Sequence, residues 1–177
     1  MNKTFILKSM LVIFTVCFLL IIPAQASRIT PISLDDLADQ ATYILIGTVM
    51  NITSDWSESG DFIYSNVEID IDSLIFGDYT NSSITIRLWG GNYSNTEISF
   101  EDGPTFEINE QVLLYLDYDY SNLFPIIGFN QGKYTVSKDE ITGEAVLLRE
   151  SQSVSLESHL ANLRSLLEDR QGAQDEK

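Results

Sequence analysis

Residues 64–77, Y-S-N-V-E-I-D-I-D-S-L-I-F-G, constrain this chain more than any other stretch. Val67, Ile69 and Ile71 alternate with Asn66, Glu68, Asp70 and Asp72. A period of two puts the apolar side chains on one face of an extended strand and the carboxylates on the other. A helix would wind acids and isoleucines onto the same side. The stretch predicts a long, half-buried β-strand whose neighbours the rest of the chain supplies.

Those neighbours are legible on both sides. Residues 43–53 are β-branched and apolar on both faces, the pattern of a central strand, with Gly47 marking a bend, a bulge or a close crossing. Residues 82–89 repeat the alternation, with Ile84, Ile86 and Leu88 inward and Thr85, Arg87 and Trp89 outward. Residues 96–100 predict a short edge strand, and 110–118 a strong one with Val112, Leu114 and Leu116 on one face. Residues 123–129 and 133–136 predict a hairpin around Asn130-Gln131-Gly132, and 144–148 a weaker final strand.

Two helices flank these strands. Ser33 is placed to cap a short one ending near Gln40, with Asp35 and Asp36 in its first turn. Leu156, Leu160, Leu163 and Leu167 recur at helical spacing and predict an amphipathic helix over 155–170, with Ser155 placed to cap it. Residues 171–177 read as a disordered polar tail. About seven short strands with turns between them predict a mainly β fold, a small OB-like Greek-key barrel over residues 27–154 with the second helix packed on it.

Residues 1–26 read as a signal peptide. Lys3 and Lys8 precede an apolar run over 10–22, and Ala24-Gln25-Ala26 offers small residues where a signal peptidase reads. The alternative is a retained anchor, although the run is shorter than the roughly 20 residues of a bilayer span. Cleavage would leave 177 minus 26, or 151 residues, enough for one domain with a proper core. Loss of two lysines would take the net charge from −16 to −18. Such a surface repels nucleic acid and anionic lipid and favours cations or basic partners, with solubility as the plainer role. Cys17 is the only cysteine and lies in the apolar run, so the exported chain would have no disulfide and no thiolate chemistry.

Three stretches resemble a known module. A-D-Q-A-T-Y-I-L-I-G-T-V at 38–49, the 64–77 strand ending L-I-F-G, and N-E-Q-V-L-L-Y-L at 109–116 are similar to the netrin-like module, the OB-type barrel also used by tissue inhibitors of metalloproteinases. Through I-I-G-F-N-Q-G-K-Y-T-V at 126–136 the chain resembles small exported prokaryotic proteins without assigned activity. The resemblance implies a fold. It does not imply protease inhibition, because those inhibitors chelate a metal through an N-terminal cysteine that Ser27 cannot replace, and their disulfides are missing.

Candidate chemistry is sparse. His159 is the only histidine, expected on a helix surface, and no G-x-S-x-G elbow accompanies it. Zinc would lack imidazole and thiolate ligands. Glu68 and Glu110 sit in the most apolar local settings of the acids, the minimal requirement for a carboxylate-based hydrolase. Asp117 and Asp119 begin a pattern of alternating oxygen ligands that would suit calcium. That pattern then fails, with Asn122 at the sixth position and Gly128 at the twelfth. Trp89, Tyr93, Tyr115, Tyr118 and Tyr120 fall where strands meet loops and form a candidate ligand-binding face. With only Arg87 and Lys133 nearby, that face lacks the cations needed for nucleic acid. Asn51, Asn81 and Asn92 head glycosylation sequons. The resulting expectation is a secreted or cell-surface, non-enzymatic module that binds an extracellular protein or glycan. The alternatives are a calcium-dependent envelope component and a carboxylate-based hydrolase.

Overall fold

The computed structural model describes residues 30–100, 103–117, 123–150 and 152–175, with side chains through Arg170. The proposed signal peptide, Tyr118, Asp119 and Tyr120 lie outside those residues. Residues Pro31–Lys177 form one compact unit. Among the described residues, no helix is long and apolar enough to cross a membrane.

The described chain begins with helix α1 (Leu34–Gln40), capped by Ser33, whose hydroxyl oxygen accepts the backbone N–H of Asp36. Among the described residues nine strands follow: β1 (Tyr43–Trp56), β2 (Ile63–Phe76), β3 (Ser83–Trp89), β4 (Gly91–Tyr93), β5 (Thr96–Ile98), β6 (Gln111–Leu116), β7 (Lys133–Lys138), β8 (Ala145–Arg149) and β9 (Gln152–Ser155). Helix α2 (Leu156–Asp175) ends the described chain. The fold is mainly β. Seven strands make one antiparallel sheet in the order β3-β2-β1-β6-β7-β8-β9, and β4 and β5 pair separately. β1, β2 and β3 form a meander and β6 returns beside β1, so the spatial order 6-1-2-3 is a Greek key.

The hydrophobic patterns explain where each strand sits. β1 is apolar on both faces and pairs with β2 on one edge and β6 on the other. Its Ile44 joins a core that includes α1, Leu113, Tyr115, Leu163 and Leu167, whereas Leu45 and Val49 join a second core with Val67, Ile69, Ile84 and Ile86. β2, about 46 Å long at about 3.3 Å per residue, serves both. Its Val67 and Ile69 belong to the second core, and Ile75 and Phe76 pack on the first. The register between β1 and β2 slips at three places, one of them at Ile46/Gly47. A methyl group at Gly47 would collide with the Asp70 carbonyl oxygen, so the position is both a bulge and a close crossing.

Four expectations are corrected. Residues 123–129 do not form a strand; only an isolated bridge, Leu116 to Ile126, is made there. Pro125 has no N–H to give a ladder, and Gly128 (φ 64°) and Phe129 (φ 68°) are left-handed, which extended chain cannot accommodate. β9 went unseen in the sequence because it is a polar edge strand with no buried face to impose a period. α2 runs to Asp175 rather than Arg170, and so takes in most of the expected tail; no proline stops it, and Gln171, Ala173 and Gln174 are adequate helix formers on either side of Gly172, which weakens the turn without ending it. His159 is 6% exposed, not on the surface. It shares the face of Leu163 and Leu167 at i, i+4 and i+8, the stripe that buries α2 on the sheet.

Candidate functional site

A pocket of about 470 Å³ opens where the ends of β1, β2 and β3 meet the β4–β5 hairpin. Its apolar wall comes from Ile52, Val67, Leu88 and Ile126, inward-facing positions at the end of the second core. The inward-facing row continues here, but Ser54 and Ser65 take the place of aliphatic residues in it.

The two serines form a relay whose direction can be deduced. Ser65 Oγ lies 2.8 Å from the Gly90 carbonyl, which can only accept, so Ser65 donates there. Ser54 Oγ, 2.9 Å from Ser65 Oγ, must then be the donor of that pair. The backbone N–H of Asn92 donates to Ser54 Oγ at 3.3 Å. The relay runs from Asn92 N–H through Ser54 and Ser65 to Gly90 C=O, and pins β4 onto the ends of β1 and β2. Gly91 (φ 145°) lies so close above both hydroxyls that a Cβ would overlap them. Both serine protons are committed, and each oxygen keeps one lone pair to offer. No imidazole activates either serine, because His159 belongs to the other core.

The mouth of the pocket is aromatic. The Trp89 ring packs on Phe62, Phe100 and Phe124 at 6.0, 4.8 and 5.9 Å between centroids. Phe129 closes the group against Phe100 and Phe124 at 6.3 and 5.8 Å. Edge-to-face and tilted pairs at these spacings are mutually attractive. Even so, Trp89, Phe100 and Phe124 remain 40%, 38% and 43% exposed. Trp89 alternates outward from β3, as the sequence pattern required, yet its ring lines the pocket.

Of the other expected aromatics, Tyr93 is exposed on β4 but does not line the pocket. Tyr115 is corrected: it is fully buried and cannot belong to a binding face. α1 and α2 together cover the face of β6 opposite Val112, Leu114 and Leu116, and β6 is therefore buried on both sides. Phe62, Phe100, Phe106, Phe124 and Phe129 were not foreseen as site residues. The available signal was five phenylalanines in segments between predicted strands or at their ends, where solvated turns favour Gly, Pro, Asn, Asp and Ser.

Tyr115 instead meets His159, with its hydroxyl 2.8 Å from Nε2. Tyr134 stacks beside both rings, and Arg149 donates to the Tyr134 hydroxyl at 2.8 Å and to the Gln131 carbonyl at 2.7 Å. Burial pushes the His159 pKa down to about 4, with the Arg149 charge adding to it. Burial, and secondarily Tyr134, pushes the Tyr115 hydroxyl above its ordinary value; burial does the same for Tyr134.

The candidate acids are dispersed. Glu110 accepts from Lys133 Nζ at 2.6 Å, from Thr135 Oγ1 at 2.5 Å and from the Glu107 N–H at 3.1 Å. Its oxygens are thus committed to the framework. Glu68 and Asp70 face solvent from β2, and Asp72 accepts from Thr48 and Gln111. Asp117 is exposed, 3.5 Å from the Thr42 hydroxyl that donates to it. No cluster of three potential metal ligands occurs among the described residues. Asn51, Asn81 and Asn92 are all exposed, so a glycan could leave from each.

No protein-family model, curated protein or solved structure matches this chain.

Proposed function

We propose that this protein is an exported, non-enzymatic binding module that captures a partner protein at or outside the cell surface, with the Trp89 pocket as its contact. The observation that carries this reading is an apolar pocket rimmed by three large aromatic side chains, each more than a third exposed. Leaving such rings in water forfeits burial energy of about 25 cal/mol per Å². Contiguous apolar patches around a cavity mark places where another molecule docks. Trp is also the residue most enriched among interface anchors.

The geometry favours protein over glycan. A sugar platform needs a ring face open to stack against, and here the rings pack against one another.

The test is crosslinking capture with the tagged protein expressed in its native host, on its surface and secreted fractions. A stoichiometric partner is expected with the wild type, and its loss with Trp89→Ala and with Phe124→Ala. Capture that is indifferent to both substitutions would reject the pocket as the contact, and absence of any partner would reject the reading.

A further inference from the structure

α2 is anchored to the sheet by few side chains, and one of them can take up a proton. We infer that α2 is a flap whose docking is set by the charge on His159, closed over a neutral imidazole and opened by an added proton. The flap belongs to the helix-side core and is independent of the pocket reading.

The anchorage is sparse. Among the described side chains of α2 only His159, Leu163 and Leu167 are buried, with Leu156 and Leu160 partly packed on the same core. Among the described residues no backbone hydrogen bond ties the helix to the sheet. The ion pairs described for α2 run from Arg170, towards its far end, to Asp35 and Asp39 of α1. Elements held by few buried contacts open at a lower free energy than the whole fold. β1, β2 and β3 close a second core to which α2 contributes no residue, so the helix can leave without breaking it.

None of the groups facing His159 is an anion. From β6, the Tyr115 hydroxyl lies 2.8 Å from Nε2. From β7, the Tyr134 ring lies 5.1 Å away between centroids. From β8, Arg149 holds its positive charge 2.8 Å from the Tyr134 hydroxyl. β9 carries no titratable side chain, and Glu157 and Arg164 of α2 are exposed, off the buried stripe. On α1, Asp35 and Asp39 face Arg170, and Asp36 is bonded to the Ser33 hydroxyl. Burial and Arg149 act in the same direction on the imidazole and lower its pKa to about 4. A protonated His159 in the closed state is a buried cation beside a second cation, with no counter-charge. Swung out with the helix, the ring is hydrated and holds its proton at the ordinary pKa of about 6.5. The proton therefore binds the open helix more tightly than the closed one, which is what shifts the equilibrium. Opening bares Leu113, Tyr115, Tyr134 and Leu147, which share their core with Leu163 and Leu167.

The test is native-state hydrogen exchange on the full chain, read as protection factors at pH 7 and pH 4.5. Amides of α2 are expected to lose about thirtyfold in protection, the linkage value for a pKa lowered from 6.5 to about 4 after screening at the Arg149 side. That loss should exceed the loss at β2 and β3 by about tenfold or more, because those strands open only with the second core. His159→Gln should abolish the difference between helix and strands. His159 is the only histidine, so its ring resonance supplies a second readout that needs no variant. Opening of α2 and protonation of that ring should share one midpoint. Unchanged protection in α2, or a loss shared equally with β2 and β3, would overturn the inference. So would a difference that persists in His159→Gln, or an opening midpoint displaced from that of the histidine.

Discussion

Acidification places a proton on a histidine whose surroundings have no use for one. His159 sits on the inner face of α2 against Tyr115 and Tyr134, and burial, with Arg149 second, lowers its pKa from 6.5 to about 4. The sign follows from linkage. The folded pKa lies below the unfolded one, so this contribution to stability is fully present above about pH 6.5. It falls as the unfolded state takes up protons and is gone near pH 4. At 1.36 kcal/mol per pH unit that interval amounts to about 3 kcal/mol, which solvent screening at the Arg149 side reduces to about 2 kcal/mol. For a domain of this size the loss corresponds to about 4–8 °C in Tm. The 26 acidic residues also titrate towards pH 4, so the measurement is a difference. His159→Gln keeps an acceptor for the Tyr115 hydroxyl and does not titrate. Urea unfolding of both proteins between pH 7 and 4.5 should show the wild type losing about 2 kcal/mol more than the variant. Parallel curves would refute the reasoning, as would a folded-state histidine resonance that titrates near 6.5.

Three further outcomes are expected. Leu163 is fully buried in the helix-side core, and Leu163→Ala should cost about 2–5 kcal/mol by the same unfolding assay; a cost below about 1 kcal/mol would mean α2 is not docked as described. Lys133 and Glu110 form a nearly buried pair, so Lys133→Ala should cost about 3 kcal/mol and Lys133→Met with Glu110→Leu should recover most of it. Ser65→Ala strips the Gly90 carbonyl of its donor and should cost about 1–3 kcal/mol. Its local signature would be faster hydrogen exchange at the Asn92 amide, measured by NMR, and unchanged exchange would contradict the relay.

The strands of the Greek key were legible where one face is buried. Val67, Ile69, Ile84 and Ile86 alternate because the second core admits apolar groups from one side only, and Gly47 announced its crossing because no other residue fits there. Where burial imposes no period, the pattern fell silent. β9 is written in polar residues, and 123–129 looked like a strand until Pro125 and the left-handed Gly128 and Phe129 bent it into the pocket rim.

The candidate site divides the same way. Trp89 could be named from its place at the outward end of β3. Local pattern, then, was enough for the strands with one buried face, for both helices and for one aromatic. Tertiary structure alone decided that Tyr115 and His159 meet in the interior and that Ser54, Ser65, Trp89, Phe100 and Phe124 converge on one cavity. A strand's alternation records how many of its faces are covered, but not which distant segment covers them. The covering helix and the converging loops are contacts between residues far apart in the chain, and periodicity carries no information about those.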